Sequence, residues 1–220
     1  MDGGRMVERL RLVRIDDGAE TPIDSQLNLC GSGLGAYGLG GWFWSPNSRY
    51  FYYTDAREGV PDGGGGSCWD RALIRLDVKS GDIERLGRIW GLSPEGTVIA
   101  MWQWQGDDLI LWSLDEGEIG RAPVAVPDAE VCEIAWSSDG QALAYLQSPC
   151  PFCGPAQFSV VHLDLRGLKQ TVLVELEEYL NVGMQWDTAN QIKLWGYEGG
   201  KQVELAFDLA TGELRPAPQE

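Results

Sequence analysis

The chain has 220 residues, with 17 Lys and Arg against 33 Asp and Glu, and its formal net charge is −16. This balance counts against binding to nucleic acid or to an anionic membrane surface, because both need clustered positive charge. The hydrophobic fraction of 44% is typical of a globular chain and counts against disorder. Ten Trp and 29 Gly are the unusual features of the composition.

The first residues, from Met1 to Arg5, are not followed by an apolar run, so we expect neither a signal peptide nor a membrane span in this chain. Such a chain is either cytoplasmic or an exported piece that has lost its signal. The first predicted hairpin follows, starting near Leu10 and turning at Asp16.

Two kinds of hairpin recur along the rest of the chain. The first kind has a large apolar residue, a short polar turn and a β-rich run, and four copies align without a gap from Trp44, Leu92, Trp136 and Trp186. The second kind has an apolar strand, an Asp, a short turn and another strand. Its Asp, which we expect to cap the turn by accepting backbone N–H bonds, recurs at Asp16, Asp77, Asp115, Asp164 and Asp208.

Four strands in each unit of 44 to 50 residues predict an all-β fold, a β-propeller with four complete four-stranded blades and an N-terminal half blade. The strands of a blade are named A to D from the axis outward. We expect one domain over residues 1–220, as a five-bladed or a partial ring. Its half blade covers 7–24, and its blades cover 40–88, 89–127, 131–176 and 182–217. The structural alternative is a β-sandwich, and helical interpretations fail because no long stretch has a 3.6-residue period with a cap.

The turn sequences resemble those of the TolB-like, or WD40-like, propeller family. The family pattern W-S-P-D-G is matched by residues 44–48, 92–96 and 136–140, and the apolar-Asp-x-x-x-Gly pattern is matched at Asp77–Gly81 and Asp208–Gly212. The resemblance implies a propeller that acts as an interaction module, often in the bacterial cell envelope or fused to a peptidase. The chain has no G-x-S-x-G elbow of such a peptidase domain.

The first blade lacks its A–B hairpin in this sequence. The chain is therefore either a piece of a longer protein or a five-bladed ring with one thin blade. Removal of an N-terminal anchor would explain both the missing hairpin and the missing signal, and this favours an extracytoplasmic location, in the cell envelope or periplasm, over a cytoplasmic one.

Strand order places the A–B and C–D turns at one face and the B–C and D–A connections at the other. The second face receives the long segments 31–41, 56–70 and 148–157, and we call it the loop face. Cys30 and Cys68 flank the same blade, so a disulfide between them is plausible. Cys150 and Cys153 form a C-x-x-C motif. We interpret it as a cross-link that closes the loop or as two unreactive thiols, and the alternatives are a structural metal site or a redox pair.

We predict non-catalytic binding of a protein or peptide through the loop face, with no cofactor. The candidate contact residues are Tyr37, Trp69, Asp70 and Trp90, of which the two Trp are either stacking surfaces or loop anchors. The alternative function is a carbohydrate-active enzyme or sugar-binding propeller that uses the loop-face Trp and carboxylates. No carboxylate pair stands out by spacing for such an enzyme.

Trp44, Trp136 and Trp186 occupy one repeat position, and we expect them to pack between blades.

Overall fold

The computed structural model describes residues 10–13, 15, 18–23, 42–55, 72–87, 89–102, 108–149 and 156–217. Within these ranges the protein is all-β: seventeen strands form antiparallel sheets, and no helix is present. The all-β prediction is confirmed at this level.

The strands form four sheets, each a meander of sequence neighbours. Sheet 1 contains β1 (Leu10–Val13) and β2 (Glu20–Ile23). Sheet 2 contains β3 (Trp42–Trp44), β4 (Tyr50–Asp55), β5 (Ala72–Asp77) and β6 (Ile83–Arg85). Sheet 3 contains β7 (Ile89–Leu92), β8 (Val98–Trp102), β9 (Asp108–Ser113) and β10 (Gly117–Pro123). Sheet 4 contains β11 (Glu130–Trp136), β12 (Ala142–Ser148), β13 (Ala156–Asp164), β14 (Lys169–Thr188), β15 (Gln191–Glu198), β16 (Lys201–Asp208) and β17 (Glu213–Pro216).

The chain divides into two compact units. The first comprises Met1–Trp44 and Ser48–Leu86, and it holds sheets 1 and 2. The second comprises Ser45–Asn47 and Gly87–Glu220, and it holds sheets 3 and 4.

A buried Ser organises the turns of the first hairpin kind. Ser93 Oγ accepts the backbone N–H of Val98 at 3.1 Å, and Ser137 Oγ accepts that of Ala142 at 3.0 Å. In both turns a Gly follows in the left-handed region, Gly96 at φ 69° and Gly140 at φ 66°. The W-S-P-D-G pattern is therefore a hairpin motif, in which the Ser caps the second strand and the Gly permits the reversal.

The recurring Asp caps the turns of the second hairpin kind, as predicted from the sequence. The Oδ1 atoms of Asp77, Asp164 and Asp208 each accept the N–H two residues further on, at 2.9 Å in every case. The turn at Asp115 differs, because there Ser113 Oγ accepts the Glu116 N–H at 3.3 Å. Asp16 lies outside the described residues.

The fourth repeat departs from the gapless alignment. Trp136 pairs with Leu143 across its turn, whereas Trp186 pairs with Ile192, so the fourth turn is one residue shorter. The alignment is therefore wrong beyond that turn. Trp195 is the structural counterpart of Leu146, not of Tyr145.

The boundary predicted between residues 176 and 182 falls inside a single strand. The first part of β14 pairs with β13 and its last part pairs with β15, with Tyr179 in both registers. A left-handed Glu178, at φ 60°, and a register shift between Leu180 and Gly183 mark the change of partner.

Two apolar clusters lie among the described residues of the second unit. One joins β8 and β9 to β12 and β13, with Leu109, Leu143 and Tyr145 completely buried. The other lies between the two halves of sheet 4 and is built around Phe158, Ile192 and Leu194. In the first unit a smaller cluster on sheet 2 packs against Leu12 of sheet 1; its members are Phe51, Tyr53, Ile74 and Leu76.

Candidate interaction surface and inner strands

Trp90 is the only predicted contact residue that the structure describes. It is partly buried in β7, opposite Met101 of β8. Because β8 ends at Trp102 and β9 begins at Asp108, Trp90 lies at the loop-face end of sheet 3. The other predicted site residues lie outside the described residues: Tyr37, Trp69, Asp70, Cys30, Cys68, Cys150 and Cys153.

An ion cluster of three residues runs along β9 and β10, with Asp108 at the loop-face end of sheet 3. Arg121 Nη1 donates to Asp108 at 3.0 Å, while its Nε and Nη2 donate to Glu118 at 2.8 and 2.7 Å. These bonds raise the pKa of Arg121 and lower that of Glu118. The carboxylate of Asp108 is held by Arg121, so this geometry favours an anchored charge over a proton-transfer group.

The first strands of the hairpins lie side by side in the second unit. β7 packs along β11, and β11 packs along the last part of β14. At Gly91 a Cβ atom would lie only 3.2 Å from the Ile134 carbonyl oxygen. Trp136 Nε1 donates to the Gly91 carbonyl at 2.9 Å. The predicted packing of Trp136 between repeats is confirmed, and the glycine is what permits the close approach.

Glu133 lies on the inner strand β11, just after a register shift. Its Oε2 accepts the backbone N–H of Met184, in β14, at 3.2 Å. Burial raises the pKa of Glu133 to about 7, because the charged carboxylate loses hydration and the Met184 bond offsets only part of that loss. The neighbouring Cys132 thiol has its pKa raised to about 12 by burial and by Glu130 and Glu133, so it is protonated and unreactive at neutral pH.

Within the described ranges, two buried polar atoms near these inner strands have no hydrogen-bond partner, Ser148 Oγ and Trp186 Nε1. The Trp186 ring lies 6.0 Å from the ring of His162, whose pKa is lowered, mainly by burial. Trp186 occupies the repeat position of Trp136 but does not repeat its bond. His162 is therefore a partly buried, packed residue of β13.

Sequence reasoning missed Glu133. Its only sequence signal is a carboxylate in the apolar stretch 131–136. An alternating strand pattern tolerates one polar residue on an exposed face. Here the residue is enclosed because β14 packs against β11, a tertiary contact that no local pattern records.

Neither a metal site nor a membrane-spanning helix is found in the described ranges. No group of three or more His, Cys, Asp or Glu side chains there could hold a metal ion. No helix of the length and apolar character needed to cross a bilayer occurs in the same ranges.

The sequence matches no protein-family model and none of the curated proteins with which it was compared. Similarity is found among solved structures. TolB from Acinetobacter baumannii matches with a TM-score of 0.50 and 12% identity over 93% of this chain. An oligogalacturonate lyase from Vibrio parahaemolyticus matches with a TM-score of 0.54 and 8% identity over 96% of it. A dipeptidyl peptidase 4 from Porphyromonas gingivalis matches with a TM-score of 0.54 and 10% identity over 95% of it.

The fold is similar to that of TolB-like β-propellers. This confirms the family resemblance at the level of the fold. The chain spans 47% of the TolB chain, 59% of the lyase chain and 38% of the peptidase chain. At these identities the likeness establishes architecture alone, and function has to be argued from the site.

Proposed function

We propose that this chain is a protein-interaction module of the TolB-like propeller type, which binds a protein or peptide partner through its loop face. The arrangement of the connections carries this proposal. In sheet 2 the short turn at 78–82 leaves one end, whereas the much longer segment 56–71 joins β4 to β5 at the other end. In sheet 4 the turns at 137–141 and 165–168 leave one end, and the longer segment 149–155 joins β12 to β13 at the other. Short turns at one end and longer connections at the other are typical of a rigid scaffold that presents its recognition residues on loops.

In this proposal sheet 1 is the half blade, and sheets 2 to 4 supply the four complete blades of one domain. The last part of β14 begins the final blade. The interaction function is supported by the structural similarity to TolB. The carboxylate of Asp108, which Arg121 holds at the loop-face end of sheet 3, supports a fixed charge there instead of a reactive centre.

The test uses a photo-reactive amino acid placed at single positions of the whole chain in cells that express it. Positions 37, 69 and 90 sample the loop face, while positions 116 and 211 are matched controls at the opposite turns. We expect a discrete protein adduct from the loop-face positions and none from the controls. Equal adducts at both ends, or none at any position, would overturn the proposal.

A second measurement separates direct contact from damage to the fold. Trp69→Ala and Asp70→Ala should weaken the captured interaction, whereas Glu116→Ala should leave it unchanged. All three variants should keep the unfolding midpoint of the unchanged protein, because a contact residue contributes to binding more than to the core. A loss of binding matched by an equal loss of stability would count against loop-face recognition.

A further inference from the structure

Four polar side chains lie together at the loop-face end of sheet 4. Glu130 begins β11 and Ser148 ends β12, and these two residues pair with each other. Cys132 and Glu133 follow on β11. Cys132 packs on the apolar cluster between the two halves of sheet 4, and Glu133 reaches across to the Met184 N–H of β14. We call Glu130, Cys132, Glu133 and Ser148 the polar cluster.

Two oxygen atoms of the polar cluster have no hydrogen bond to the described part of the chain. Ser148 is completely buried, and its Oγ lacks a partner there. Ser148 alternates along β12 with Ala144 and Leu146, and Leu146 pairs with Glu133, so the hydroxyl lies on the same side of the sheet as the carboxyl. The Met184 bond occupies Glu133 Oε2 and leaves Oε1 open. Buried polar groups are normally satisfied, so this pair of atoms calls for an occupant.

The charge of the polar cluster is not balanced either. The negative charges of Glu130 and Glu133 both act on the Cys132 thiol, whose pKa they raise. Among the residues that the structure describes, no Lys or Arg forms an ion pair with either carboxylate. A water molecule would bond to the open oxygen atoms, but it would not compensate a buried negative charge. A cation with N–H donors does both.

We infer that the polar cluster binds one primary ammonium group, the end of a lysine side chain that a partner polypeptide presents at the loop face. An ammonium has three N–H donors and no acceptor. Glu133 Oε1, Ser148 Oγ and Cys132 Sγ offer it three acceptors, of which the sulfur is the weak one. A guanidinium has more donors than this site can satisfy, and Ca²⁺ needs about six to eight oxygen ligands.

The apolar lining of the site favours lysine over a free N-terminal amine. Leu146, Val182 and Met184 belong to the apolar cluster beside Glu133, and they suit the four-carbon stem of lysine. An N-terminal amine would instead bring a polar peptide group into the same place, where it would lose its hydration. The lysine source rests on the proposed function, because a partner has to reach the loop face. The ammonium site itself does not depend on it.

The test is a titration of the whole chain, labelled with ¹⁵N, with N-acetyl-lysine methylamide at about pH 8. The backbone amide signal of Met184 reports on the site, because its N–H is bonded to Glu133. We expect a saturable shift of this signal with a dissociation constant of about 1 to 30 mM. The matched control compound carries a trimethylated lysine, which keeps the charge but has no N–H donor. This compound and glycine methylamide, which offers an N-terminal amine, should bind about tenfold more weakly or worse.

Three variants separate recognition from damage to the fold. Glu133→Gln should weaken lysine binding by about tenfold or more, because it removes the charge. Ser148→Ala should weaken it by about two- to tenfold, because it removes one neutral acceptor. Ser159→Ala is the matched control: Ser159 is also buried but pairs with Gln147, on the other side of sheet 4, and its loss should leave the affinity unchanged. Unfolding curves show which variants remain folded, and the compound series keeps the test decisive if Glu133→Gln does not.

The affinity should rise with pH, because the ammonium binds the ionised carboxylate and competes with its proton. We expect binding about tenfold weaker or worse at about pH 5.5 than at about pH 8, and no such dependence in Glu133→Gln. The variants Glu130→Gln and His162→Gln should keep the dependence of the unchanged protein. The other titratable groups on the side of sheet 4 that carries Glu133 are Glu130 and Cys132 of β11, His162 of β13, Tyr179 of β14, Glu198 of β15 and Lys201 of β16.

Three results would overturn the inference: no saturable shift of the Met184 signal, equal affinity for the trimethylated compound, or affinity unchanged by Glu133→Gln. Each would mean that the polar cluster holds water only. Tighter binding of glycine methylamide than of the lysine compound would overturn the lysine assignment. The titration needs no partner protein, and the loop-face cross-links do not involve the polar cluster, so each proposal can fail while the other stands.

Discussion

At the scale of single residues, Ser48 occupies a turn position that two other repeats give to glycine. Its φ of 58° lies in the left-handed region, as do those of Gly96 and Gly140. A side chain in that region costs about 1 to 2 kcal/mol, and glycine avoids most of the cost. We expect Ser48→Gly to raise the free energy of unfolding by about 0.5 to 1 kcal/mol, because relief of strain exceeds the added freedom of the unfolded chain.

Gly96→Ala is the opposite substitution at the equivalent position. A Cβ there has no atom within 4 Å, so backbone strain alone is altered. We expect a loss of about 1 kcal/mol, read from urea unfolding curves whose slopes are unchanged. If both variants shift the midpoint in the same direction, the turn is not governed by the left-handed residue.

Glu133 makes stability depend on pH in a direction opposite to most carboxylates. Its pKa is raised by burial from 4.5 to about 7, so the folded state holds a proton that the unfolded state releases. The stability that the protonated Glu133 carboxyl contributes to the fold is therefore complete below about pH 4.5, and it is lost as the pH rises through about 7. A shift of this size corresponds to about 2 to 3 kcal/mol after allowance for the water that reaches part of the carboxyl.

Glu133→Gln keeps the shape of the side chain and removes the titration. We expect the variant to gain stability relative to the unchanged protein as pH rises from about 4.5 to 7, by about 2 kcal/mol at the upper end. Unfolding in urea across this range measures the difference, and Glu175→Gln on the exposed part of β14 is the matched control. A Glu133→Gln difference that is constant with pH would contradict the raised pKa.

At the scale of elements, adjoining sheets are joined by specific bonds as well as by apolar packing. Trp136→Phe removes the indole donor and leaves the Gly91 carbonyl unsatisfied, and we expect it to cost about 1 kcal/mol. Trp44→Phe is the matched control: its indole has no such bond among the described residues, so it should change stability by less than about 0.5 kcal/mol. Equal losses would show that ring size, and not the hydrogen bond, sets the cost.

The repeated hairpins could be predicted from the sequence because their signals are local. The Asp that caps a turn and the Ser-to-Gly spacing act within a few residues, so Asp77, Asp164 and Asp208 behave as expected. The continuity of β14 was missed because Glu178 takes the left-handed conformation without a Gly or Pro signal. Glu133 was missed because its burial depends on a strand distant in sequence.

At the scale of the whole molecule, the repeats explain where many of the acids lie but not the total charge. Asp77 is matched by Arg49, whose Nη2 lies 2.8 Å from its carboxylate, and Arg121 holds two acids. Seventeen basic residues cannot pair with 33 acidic ones. The exposed Glu175, Glu177 and Glu198 have no ion pair in the described part of the chain.

We therefore expect the protein to become more stable as salt is added at neutral pH. Exposed ion pairs contribute about 0 to 1 kcal/mol each and weaken with salt. Salt also screens the repulsion among the excess acids, over a distance of about 10 Å at 0.1 M. The net charge of −16 makes the loss of this repulsion a larger effect than the weakening of the ion pairs. The unfolding temperature should rise between low and physiological concentrations of NaCl. A variant with Glu175→Gln, Glu177→Gln and Glu198→Gln should have a higher unfolding temperature at low salt, and its unfolding temperature should rise less when NaCl is added. If salt lowered the unfolding temperature of the unchanged protein, ion pairs rather than excess charge would control its electrostatic stability.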